Sequence, residues 1–163
     1  MMRTRPQPDG WTLGPHLAGG LTLRHYANFR DCPSLAESRA RVHDLDPRLD
    51  DYGIHVLVGQ NRHGELLLGD SHEDADHHDP FNRGEINDLI LQHLGEFLQA
   101  PDLRVSDTWH GVYARMTDGS SALLRHLEPG LTVATGIGGT GMTTSFAFAE
   151  DVWSQVTGAA VSR

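Results

Sequence analysis

The residues best suited to chemistry lie near the end of the chain. Val133-Ala134-Thr135-Gly136-Ile137-Gly138-Gly139-Thr140-Gly141-Met142-Thr143 puts four glycines into six positions. A β-branched stretch precedes them and a helical pattern follows. Glycine lets the backbone turn sharply and approach a ligand closely. A helix start adds free N–H groups and a positive dipole end, which suit an anion or a partly negative ring oxygen. Two ligands fit this description: a phosphate, or a flavin, whose pyrimidine edge gains negative charge on reduction. No lysine follows the glycines, so the segment is not a P-loop. Gly136 to Gly141 has G-x-G-x-x-G spacing, but a dinucleotide fingerprint follows the first strand of a βαβ unit and has an acid about 20 residues later. A tight strand-to-helix turn without a ligand has the same spacing, so the residues alone leave all three readings open.

A second set of polar groups occupies the loop before Pro80. His72, His77 and His78 stand with Glu73, Asp74, Asp76 and Asp79, types that hold divalent metals. No helical His-x-x-x-His pair supports them, so a solvated polar loop is expected there and no metal site. His55 alternates with Ile54 and Val56 and so points to the opposite strand face. Cys32 precedes Pro33 with no base or acid implied beside it, and it does not read as a nucleophile. Trp109 is expected in the core.

The elements that must position these groups follow from periodicity. Leu21 to Tyr26 alternates and reads as a strand. Ser34-Leu35-Ala36-Glu37 has capping-box spacing and starts a helix that Pro47 ends, with Leu35, Val42 and Leu45 inward. Ile54–Val58 and Glu65–Leu68 form a hairpin about a turn at Asn61-Arg62-His63-Gly64. Asn82 is placed to cap a helix whose apolar face is Ile86, Leu89, Ile90, Leu94, Phe97 and Leu98. Val105 to Met116 reads as a strand interrupted at Gly111, and Leu131–Thr135 as a short one. A helix follows from about Thr143 to Val156, with Phe146, Ala149, Val152, Trp153 and Val156 on its core face. The opening, Met1 to Pro15, carries three prolines and reads as an extended segment, or a frayed end. Hairpins mixed with separate helices predict an α+β fold with a largely antiparallel sheet.

Composition narrows the classes of function. The chain has 163 residues, 22 acidic against 13 basic, for a formal charge of −9. Nucleic acid repels such a surface, and no basic patch offsets it. No apolar run approaches the ~18 residues of a membrane span. No secretion signal is visible, and one cysteine cannot form an intrachain disulfide. A soluble cytoplasmic protein acting on a small molecule is the expectation.

Three segments, in order, resemble one family. Gly136 through Glu150 is similar to the final flavin-contacting turn and helix of the D-amino-acid oxidase superfamily, which includes glycine oxidase, sarcosine oxidase and D-amino-acid dehydrogenase. Gly64-Glu65-Leu66-Leu67-Leu68-Gly69-Asp70-Ser71-His72-Glu73 is similar to its strand ending in glycine, a small hydroxyl residue and an acid. Trp109-His110-Gly111-Val112-Tyr113 is similar to its W-x-G-x-R/Y strand. Gly14 to Gly20 with Leu23-Arg24-His25-Tyr26 most resembles a branch linked to aminophosphonate breakdown.

The resemblance implies FAD as cofactor and oxidation of a primary or secondary amine, amino acid or aminophosphonate to the imine. It implies that Gly136, Gly138, Gly139, Thr140, Gly141, Met142 and Thr143 meet the flavin. It places Tyr113, Arg115, His25 and His55 toward the substrate, and assigns no catalytic residue. Family members carry an arginine near the position of Tyr113, and here Arg115 stands two residues later on the same strand face. The family's fingerprint for the adenosine and pyrophosphate lies at its amino terminus, and this sequence has none there. Residues 1–130 would then be substrate-domain-like, and residues 131–163 the last flavin-contacting strand, loop and helix. The partner would be a missing amino-terminal FAD-binding half. The chain alone would neither hold FAD nor turn over, and its uncovered apolar surface would favour homo-oligomers. A non-catalytic small-anion-binding domain and a metal-binding protein using the His72–His78 loop are the alternatives.

Overall fold

The hairpin that the sequence marks most strongly is the centre of the first half of the chain. In the computed structural model, which describes residues 1–159, β3 (Leu57–Gln60) and β4 (Glu65–Gly69) pair antiparallel. Gly64, at φ +77°, makes the turn between them. The Asn61 side-chain oxygen accepts from the backbone N–H groups of His63 at 2.9 Å and Glu65 at 3.1 Å. Val56, Val58, Leu66 and Leu68 are buried at alternate positions, as one sheet face requires.

Around this hairpin lie β1 (Met2–Pro6), β2 (Leu17–Ala18) and β5 (Val105–Thr108). The order is β2-β3-β4-β1-β5 and every pairing is antiparallel. Short helical turns α1 (Thr22–His25) and α3 (Arg48–Asp51) and the longer helices α2 (Leu35–Leu45) and α4 (Gly84–Leu94) complete this unit. Ile86, Leu89, Ile90 and Leu94 of α4 join Met2, Val56, Val58, Leu66 and Leu68 in one core. The fold is α+β, as expected.

The chain forms two compact units, Met1–His110 and Gly111 onward. The second contains the antiparallel pair β6 (Leu123–Glu128) and β7 (Leu131–Thr135), a 3-10 turn at Gly138–Thr140, and α5 (Gly141–Thr157). Gly158 closes α5 in the left-handed region at φ +70°.

Several expectations are corrected. The opening segment is not frayed: β1 is an interior strand, bonded to β4 on one side and β5 on the other. Residues 21–26 are not a strand, because the backbone N–H groups of Thr22, Leu23 and Arg24 donate to the carbonyls three residues back. Ladder pairing begins at Leu57, not Ile54, and β5 ends at Thr108, not Met116. β6 has no counterpart in the sequence reading. Ser34 and Asn82 sit beside their helices without capping them. Asn82 instead bonds Thr108 Oγ1 at 3.2 Å and His110 Nδ1 at 2.7 Å. Leu45, Trp109, Phe146, Trp153 and Val156, all expected inward, are exposed, and no described residue of α5 is buried.

β1 stays in register through a side chain. Its pairing with β4 shifts between Arg3 and Pro6, and the fully buried Thr4 fills the gap. The Thr4 hydroxyl accepts from the Leu66 N–H at 3.0 Å and donates to the Arg5 carbonyl at 2.7 Å. Thr4→Val keeps the shape but strands a buried N–H, and should cost about 1–3 kcal/mol in urea unfolding. An unchanged midpoint would show that the hydroxyl does not hold the register.

Candidate functional site

The glycine turn grows out of β7. Gly136, buried at φ +80°, takes the chain off the strand, and Gly138, at φ +61°, starts the 3-10 turn that runs into α5. A side chain at either position would strain the backbone. The Thr140 hydroxyl donates to the Ile137 carbonyl at 2.9 Å and makes no cap bond to α5. The first turn of α5 therefore has no side-chain cap, and Met142 there is 94% exposed. Gly139, Thr140, Met142 and Thr143 are all exposed.

Two of the four substrate candidates meet this turn. Arg115 forms an isolated antiparallel bridge with Ile137. A Cβ built on Gly138 would lie 3.6 Å from Arg115 Cγ, and one built on Gly139 would lie 3.1 Å from the Tyr113 hydroxyl. The glycines thus leave a shallow cradle with Tyr113 and Arg115 at its side. An uncapped helix start, bare backbone and a guanidinium fit a flavin ring edge beside an anionic substrate.

The other two candidates belong to the first unit. His55 and Asp70, just outside β3 and β4, exchange backbone hydrogen bonds at 3.1 and 2.7 Å. That pairing brings their side chains to one end of the hairpin. His25, at the last residue of α1, stacks on His55 with ring centroids 3.9 Å apart, and the His72 ring lies 5.1 Å from His55 and 4.6 Å from His25. His55 Nε2 lies 3.1 Å from His72 Nε2 and 3.2 Å from Asp70 Oδ1, and His72 Nε2 lies 3.5 Å from Asp70 Oδ2.

This is not an ordinary ion pair. Burial, with His25 and His72 beside it, pushes the His55 pKa down to about 3, so the ring is neutral at neutral pH. Burial also raises Asp70, against the opposing pull of His72, the Met1 amino group and His25. His55 Nδ1 and Asp70 Oδ1 are buried without a hydrogen-bond partner among the described residues, the 3.2 Å approach being poorly aligned for one.

Sequence reasoning singled out His25, His55 and His72 separately but did not join them. It grouped His72 with His77 and His78 because they are close in sequence. Among the described residues, the group whose ligand atoms converge is His25, His55 and His72 instead. The hairpin register brings the strand ends carrying His55 and His72 together, but it says nothing of His25, which reaches them from α1.

The chain matches the FAD dependent oxidoreductase family, DAO, over residues 21–153. The chain belongs to this family. No curated protein and no solved structure matched it. Among the described residues no helix is long and apolar enough to cross a membrane.

Proposed function

We propose that this chain is the carboxyl-terminal part of an FAD-dependent enzyme that oxidises an amine, amino acid or aminophosphonate to the imine. One observation carries the reading. Residues assigned separately to cofactor and substrate, Gly138–Gly139 and Tyr113–Arg115, stand together in the second unit. When bound, the flavin would accept hydride from the carbon beside the substrate nitrogen. The backbone from Gly138 to Thr143 would lie against its ring edge, and the start of α5 would favour negative charge there. Arg115 would fork the substrate carboxylate or phosphonate, and Tyr113 would orient it through its hydroxyl.

Activity would need an amino-terminal half that supplies the adenosine and pyrophosphate site. The uncovered apolar side chains of α5, Met142, Phe146 and Trp153, support such a partner. The chain alone would bind FAD weakly and turn nothing over.

The test joins this chain to an amino-terminal half carrying the flavin fingerprint and follows flavin absorbance and turnover. 2-Aminoethylphosphonate, glycine and D-alanine would be compared. Losing a charged hydrogen bond costs about 1.5–3 kcal/mol, so Arg115→Met should raise KM for an anionic substrate roughly 10- to 150-fold. A joined protein that stays colourless would overturn the reading. Preference for glycine or D-alanine would remove the aminophosphonate and keep the rest. Phosphate binding with no flavin would favour the small-anion alternative.

A further inference from the structure

We propose that His25, His55, His72 and Asp70 form a binding site for a divalent transition-metal ion such as zinc. The site lies in the first unit and is independent of the flavin reading. Three imidazoles are a common ligand set for zinc, and a carboxylate is a common fourth ligand. The spacing supports one ion. Donors bound at ~2.0–2.1 Å in a tetrahedron stand about 3.3 Å from one another. The observed separations among His55 Nε2, His72 Nε2 and the two Asp70 oxygens are 3.1, 3.2 and 3.5 Å. His25 closes the set: one ligand atom from each of the three histidines lies within 4.8 Å of the others.

A separate observation points to a cation here. Asp70 Oδ1 is buried and receives no hydrogen bond from any described residue. A buried carboxylate oxygen without a donor is costly, and a metal ion would satisfy it. Nitrogen donors favour zinc, cobalt, nickel or copper over magnesium or calcium.

The framework is suited to holding ligands in place. The His55–Asp70 backbone pair fixes two of them to the hairpin, and the His72 N–H donates to the Tyr52 carbonyl at 2.9 Å. The ion would tie α1 to the ends of β3 and β4.

The experiment strips the full chain with EDTA and titrates it with Co²⁺, then Zn²⁺. Expected are visible ligand-field bands at stoichiometric Co²⁺ that Zn²⁺ bleaches, and a higher melting temperature with metal. His25→Ala and His72→Ala, each with unchanged circular dichroism, should weaken Co²⁺ binding by more than the roughly 10–100-fold typical of an outer-shell partner. The paired substitution His77→Ala with His78→Ala should leave binding unchanged. The proposal is overturned by absent bands at excess Co²⁺, or by bands that survive both His25→Ala and His72→Ala. Loss confined to the His77→Ala, His78→Ala protein would overturn it too, and would place the metal in the acidic loop.

Discussion

Gly53→Val is expected to lower the stability of the first unit by about 2–5 kcal/mol. Two costs add. Gly53 sits at φ +53°, where a β-branched residue is strained by about 1–2 kcal/mol. A Cβ there would also lie 2.7 Å from the His72 carbonyl oxygen and 3.3 Å from the His72 Cβ. The obstacle is backbone, and it cannot swing away as a side chain would. The Tyr52 carbonyl takes the His72 N–H at 2.9 Å, the Gly53 N–H donates to Asp50 at 3.0 Å, and the Ile54 N–H donates to Leu49 at 2.8 Å. Relief must therefore come from moving His72. The same substitution should weaken Co²⁺ binding along with stability. Gly10→Val is the control: φ is +84° there, but nothing lies within 4 Å of the added Cβ. It should show the conformational cost alone. Urea unfolding of the two variants checks this, and losses equal to within ~0.5 kcal/mol would remove the clash from the account.

What could be read in advance was local. The turn at Asn61–Gly64 was legible because a side-chain oxygen and a left-handed glycine define it within four residues. The face of α4 was legible because burial at Ile86, Leu89, Ile90 and Leu94 follows the helical period. Errors arose where distant partners decide. Leu21 and Thr22 are both buried, which breaks the strand alternation that Leu21 to Tyr26 suggested, and the N–H groups of Thr22, Leu23 and Arg24 turn back to the carbonyls of Gly19, Gly20 and Leu21 instead. β1 was missed because three prolines hid a strand whose pairing is completed by a threonine hydroxyl. α5 has a core-like stripe, yet Phe146, Trp153 and Val156 on it are exposed and Val152 is only half-buried. A stripe shows that a face wants cover, not that this chain supplies it. At the candidate site, the glycine turn was legible from composition. The histidine cluster was not, since it is assembled by β3–β4 pairing from residues 17 to 47 positions apart.

The glycine turn should separate stability from function. In the joined enzyme, Gly139→Val is expected to lower kcat/KM by about 100-fold, the scale of loss when reacting groups are displaced by ~1 Å. The same substitution should leave the stability of the second unit within about 1 kcal/mol. Gly139 is exposed and lies outside the left-handed region, so its backbone accepts a side chain. The added Cβ meets the Tyr113 hydroxyl at 3.1 Å, and a half-exposed tyrosine can move aside. The damage then falls on the cradle itself: the methyl groups fill the space proposed for the ring edge and push against Tyr113. Gly136→Val should behave in the opposite way. Gly136 is buried at φ +80°, and an added Cβ would stand 2.8 Å from Met116 Sδ. Its main cost is the folding of the turn, so the unit should lose stability before any question of turnover arises. Flavin content, kcat/KM and urea midpoints measured on both variants decide between these outcomes. Full activity in Gly139→Val would mean that neither cofactor nor substrate approaches the chain at this turn.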